Sequence, residues 1–167
     1  MGAETPTLTA FVARMTQPEI NLAAWGSLVY PISLAIEGPI IMLLAASTAL
    51  ASDVAAYKKL FRYMLIMSIA LTAIHVMVAF TPLFYVVAGN LLKVPIELHE
   101  SGRLGLQIMT PWTIMIAWRR LNQGVMIKYG NSRAVVVGTA IRLVTLITVL
   151  TIGMNYTGWS GVMTGSI

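Results

Sequence analysis

Cysteine is missing from this 167-residue chain, which excludes disulfides, iron–sulfur clusters and thiolate metal sites. Charge is nearly as scarce. Only 10% of residues are Asp, Glu, Lys or Arg, against about a quarter in soluble domains. The six acidic residues and two histidines are too dispersed to form a metal site by spacing. No phosphate-cradling glycine loop with its lysine, no H-E-x-x-H and no G-x-S-x-G occurs, so soluble catalytic signatures are lacking and the chain does not read as an enzyme. No internal repeat of the kind that builds solenoids is present. Residues 1–18 have no basic segment followed by an apolar stretch and a small-residue cleavage site, so they are not a signal peptide.

What remains is apolar. Hydrophobic residues make up 57% of the chain, and mean hydropathy is +0.80. Residues 63–92 contain no Lys, Arg, Asp or Glu. A bilayer core about 30 Å thick takes roughly 20 apolar residues to cross as a helix. Four stretches qualify, about 22–51, 60–87, 104–125 and 134–153, which predicts an all-α, polytopic transmembrane bundle forming a single domain. The uncharged tail from Gly153 onwards reads as a loop leading into another helix. The net charge of +5 sits mostly in loops, where the positive-inside tendency accounts for it, so nucleic acid is not an expected partner. Lys58, Lys59, Arg62, Arg119, Arg120, Lys128 and Arg133 fall on one side, and Arg14, Lys93 and Arg103 on the other. The first side is predicted to be cytoplasmic, which places both termini outside a multi-pass inner-membrane protein.

Three ionisable residues fall within the expected spans: Glu37, His75 and Arg142. Charge at membrane depth costs about 2.5–3.5 kcal/mol on insertion scales, so such groups face a bundle interior or a watery cavity. At about 1.5 Å per residue, Glu37 lies about 22 Å below the outer end of its helix and Arg142 about 12 Å above the inner end of its own. These depths nearly coincide, which makes the two an expected ion pair. Either they staple two helices together, or they line a solute pathway that opens and closes. His75 is either a proton relay or a histidine bonded within the bundle. Arg119 and Arg120 end a helix where they complement its dipole or snorkel to phosphates. Asn122 and Gln123 end the same helix or line a cavity mouth. Trp25, Trp112, Trp118 and Trp159 read as packing or interfacial anchors. Pro31, Gly38, Pro39 and Pro111 mark places where a helix should kink or unwind, as the broken helices of transporters do.

The order of these features resembles a known family. Leu22-Ala23-Ala24-Trp25-Gly26 opens a long helix. A loop containing Ser52-Asp53 and Lys58-Lys59 follows, then an apolar helix ending near a proline. Pro111 precedes Leu121-Asn122-Gln123-Gly124 and Tyr129-Gly130-Asn131-Ser132-Arg133, and Gly158-Trp159-Ser160-Gly161 with Thr164 comes last. Over 22–167 this is similar to the first lobe of the multidrug and toxic compound extrusion family, within the wider superfamily of multidrug exporters and lipid-linked oligosaccharide and polysaccharide flippases. The resemblance implies the second through fifth helices of a two-lobed secondary transporter, with the remaining half as partner and an organic solute as cargo. No bound cofactor is implied, though coupling to H⁺ or Na⁺ is. The usual coupling residues are not all present, because Arg142-Leu143-Val144-Thr145-Leu146-Ile147 lacks the Asn or Asp of that family's fifth helix. Gly38-Pro39 and an arginine in the last span look more like the progressive-ankylosis branch, which is associated with export of anions such as pyrophosphate, nucleotides and citrate. The resemblance leaves as rivals a flippase for lipid-linked precursors and a non-transporting assembly subunit.

Overall fold

The computed structural model of the protein describes residues 4–157 and 160–166. They are helical almost throughout: α1 (Glu4–Val12), α2 (Pro18–Leu50), α3 (Val54–Phe80), a short irregular helix α4 (83–91), α5 (His99–Ile108), α6 (Trp112–Lys128), α7 (Ser132–Ile152) and α8 (Gly161–Ser166). Among the described residues, three helices are long and apolar enough to cross a membrane: Pro18–Leu50, Val54–Phe80 and Ser132–Asn155.

The expected spans differ from these in instructive ways. α3 begins at Val54 rather than 60 because Asp53 caps it, its Oδ1 accepting from the Ala56 backbone N–H at 2.8 Å. This contact holds the exposed Asp53 carboxyl below its ordinary pKa. α3 ends at Phe80 rather than 87 because Pro82 forces Thr81 into extended backbone, φ −102°, ψ 170°. The third expected span, 104–125, is two helices. Pro111 supplies no N–H and disfavours helix at the residue before it, so the chain breaks at 109–111 between α5 and α6. Gly130 follows the end of α6, and its φ of +74° suits a residue without Cβ. Asn131 N–H reaches Met126 O at 2.8 Å and Gly130 N–H reaches Ile127 O at 3.1 Å, the pair of bonds that closes a helix with a left-handed residue. The tail is more ordered than a loop: α7 runs on through a π turn at Gly153–Thr157, and α8 folds back onto the bundle. Gly158 and Trp159, part of the last family-like motif, lie outside the described residues.

α5 and α6 run alongside α2 in the same direction, and α3 runs opposite to both. At one end the Arg103 side chain donates to the carbonyls of Ala79 (3.1 Å) and Phe80 (2.9 Å), closing the C-terminus of α3. At the other end Lys128 donates to Ala49 O at 2.7 Å, and the Tyr129 hydroxyl lies 3.0 Å from the carbonyls of Ala51 and Ser52. Two apolar clusters fill the body. One joins Leu28, Val29, Phe84, Leu106 and Val162 near the Arg103 end, and the other joins Ile40, Leu43, Met64, Ile116 and Leu121 near the Lys128 end. α6 approaches the last part of α2 most closely at Gly124, where a Cβ would collide with Ser47 and the Leu44 carbonyl. Small residues at such a crossing let backbones meet where lipid supplies no hydrophobic drive for association.

Candidate functional site

α2 carries the site's acidic residue through irregular helix. A π turn at Trp25–Val29 leads into Pro31, which has no N–H to continue the α ladder. From there the helix continues through Gly38 and Pro39 and is interrupted only at Met42. The expected irregularity at Gly38-Pro39 therefore falls three residues later. The π turn, Pro31 and this helix stretch place Trp25, Tyr30, Ser33 and Glu37 on the wall of a cavity of about 470 Å³.

The opposite walls come from Met109 in the break before α6, from Trp112 and Ile116 at the start of α6, and from Arg142, Leu146 and Val149 on α7. α1 and α8 close one end with Leu8 and Ser166. Glu37 is 5% exposed, and its Oε1 has no hydrogen-bond partner among the described residues. The Trp112 indole N–H donates to its carboxylate, and the positive charge of Arg120 acts on it. The Arg142 guanidinium carbon stands 4.8 Å from the centre of the Trp112 ring, within cation–π range. Glu37 and Arg142 thus share one cavity, and Trp112 connects them through its N–H on one side and its ring face on the other.

The other expected site residues lie elsewhere. His75 is fully buried on α3, with Nε2 3.0 Å from Leu106 O and Nδ1 3.1 Å from Thr113 Oγ1. A carbonyl only accepts, so Nε2 carries the proton. His75 therefore straddles the break between α5 and α6, does not line the cavity wall, and serves a carbonyl next to that break. Arg119, Asn122 and Gln123 are half-buried near the Lys128 end and are also absent from the wall. Arg119 keeps one buried nitrogen without a hydrogen-bond partner among the described residues, and Asn122 donates to Trp118 O at 2.8 Å. Of the two adjacent arginines, Arg120 is the one that turns inward, 9% exposed. Pro111 sits exposed at the start of α6.

Trp112 and Arg120 are the residues missed as site members. Their signal was the four-residue spacing of Trp112, Ile116, Arg120 and Gly124, which puts all four on one helix face. No family model, no curated protein and no solved structure matches this chain.

Proposed function

We propose that this protein is an integral membrane secondary transporter that exports an organic solute, drug-like or anionic, by alternating access, as the resemblance to the multidrug and toxic compound extrusion family implies. The observation that carries it is one cavity, lined by apolar helices, that holds a buried carboxylate at the N–H edge and a guanidinium over the ring of a single tryptophan. Ligand sites are concave and mostly apolar, with few convergent polar groups, and charges at membrane depth mark solute pathways. The helix break at 109–111 and the interruptions of α2 supply points about which walls can shift. Glu37 is the buried carboxylate among the described side chains, which makes it the candidate for H⁺ or Na⁺ coupling among them. The remaining half of a two-lobed transporter is the expected partner, and the inner membrane is the expected location.

The test is efflux from inverted membrane vesicles of cells expressing the protein, with Hoechst 33342 as the drug-like probe and radiolabelled citrate as the anionic one, under imposed H⁺ or Na⁺ gradients. Glu37→Gln and Arg142→Gln should each reduce movement of at least one probe about tenfold or more. Wild-type rates in both variants would remove the site assignment. Movement of a lipid-linked saccharide instead of either probe would favour the flippase, and failure to move any of the three would favour the assembly subunit.

A further inference from the structure

The backbone alone does not close the break between α5 and α6. Pro111 has no N–H for the carbonyl four residues before it, and the Thr110 N–H turns to that carbonyl, Gln107 O, at 3.3 Å. Leu106 O thereby loses the backbone donor that a continuous helix would give it. His75 Nε2–H takes the place at 3.0 Å, with the Thr110 hydroxyl at 3.3 Å. On the far side of the break the fully buried Thr113 hydroxyl donates to His75 Nδ1 at 3.1 Å. One buried ring on α3 thus bonds both sides of the break, which a neutral imidazole can do because one nitrogen donates while the other accepts. The two helices are otherwise fixed away from this point, α5 through Arg103 at the end of α3 and α6 through Gly124 on α2. On the cavity side the break is held weakly, the Ser33 hydroxyl donating to Met109 Sδ at 3.8 Å, and a thioether is a poor acceptor.

We propose that His75 is a latch: its two bonds lock the angle at the α5–α6 break and so hold Met109 and Trp112 in the cavity wall. Met109 lies within the break and Trp112 adjoins Thr113 in the chain, so what fixes Thr113 fixes the wall from behind. Neither bond has water at hand to replace it, because His75 and Thr113 are both fully buried, and a buried polar group left unpaired is costly. The wall therefore shifts when both bonds open together and stays put otherwise. His75 acts through Thr113 and Leu106 and lines no part of the cavity itself, which makes it a positioning residue. That the latched wall belongs to a solute site rests on the transport reading.

The experiment measures spin-label distances by pulsed electron paramagnetic resonance on the full chain in lipid nanodiscs. The chain has no cysteine, so introduced pairs take the labels alone. Leu104→Cys with Met126→Cys, both at exposed positions, spans the break at no more than about 33 Å. Tyr63→Cys with Met77→Cys, also exposed, lies within α3 and reports general loosening. His75→Leu should widen the distance distribution across the break about twofold or more and leave the α3 pair unchanged. His75→Gln, whose amide also donates and accepts, should keep it narrow. Thr113→Val, which removes one of the two bonds at nearly constant shape, should widen it less, and it carries the test should His75→Leu fail to accumulate. An unchanged distribution across the break in these variants, or equal widening of both pairs, overturns the latch. Widening confined to the break in a protein that moves neither Hoechst 33342 nor citrate keeps the latch and removes the transporter; normal efflux with an unchanged break does the reverse.

Discussion

α6 and α7 both bring an arginine to the surroundings of Glu37, and they are held there by opposite means. α6 includes Arg119, Arg120, Asn122 and Gln123, yet it buries Thr113, Ile116, Ala117, Arg120, Leu121 and Gly124 against its neighbours. α7 is far more apolar, yet only 6% of its most apolar stretch is buried, against 39% for α2 and 28% for α3. In water the more hydrophobic helix would be the more buried one. In lipid, apolar surface gains nothing from leaving the acyl chains, and helices associate through close packing and hydrogen bonds. α6 has the glycine and the polar contacts for that, including Thr48 Oγ1 to Gly124 O at 3.3 Å. α7 offers Val, Ile and Leu to its surroundings, and its hydroxyls are spent on its own backbone: Thr139, Thr145, Thr148 and Thr151 each bond the carbonyl four residues earlier.

The sharpest way to break this contrast is Gly124→Leu. A side chain there must displace Ser47 and the α2 backbone, so a loss of about 3 kcal/mol or more, or failure to accumulate as a monodisperse protein, is expected from chromatography and thermal melts. Next is Trp112→Phe, which keeps a ring for Arg142 and removes the indole N–H that Glu37 accepts. About 1–3 kcal/mol should be lost, and solute binding should weaken along with the apparent Tm.

A smaller effect separates the helix starts. Asp53 caps α3 with its side chain, whereas Asn131 makes no such bond at the start of α7, so Asp53→Ala should lower the apparent Tm and Asn131→Ala should not. Because the Ala56 N–H holds the Asp53 carboxyl below its ordinary value, its contribution is present above the usual carboxylate range and lost as pH falls through the lowered folded value. The gap between wild type and Asp53→Ala should therefore close only in strong acid. Smallest of all is Val144→Leu. Val144 is 65% exposed on α7, and the change should move stability by less than about 0.5 kcal/mol in nanodiscs. A shift as large as that of Gly124→Leu would mean that protein rather than lipid covers this face.

Much of this was legible from residues alone. Long apolar runs identified α2, α3 and α7. The split of 104–125 was foreshadowed by Pro111, but the interruption of α2 at Met42 had no residue signal of its own. Within the site, Glu37 and Arg142 were visible because charge is so rare in these spans. Trp112 was not, because an indole at membrane depth looks like packing until a partner for its N–H is known. Arg120 was obscured by Arg119, since a paired arginine at a helix end fits a snorkelling role equally well.

Composition and spacing determined that this chain forms long apolar helices and how far each charge lies along its own helix, because rise along a helix is a fixed distance per residue. Depth does not say which way a side chain faces or which helix stands opposite. Those were decided by the close crossing of α6 on α2 at Gly124 and by the His75 bonds across the α5–α6 break, contacts between residues distant in the chain that rotate Arg120 towards Glu37 and set Trp112 between Glu37 and Arg142.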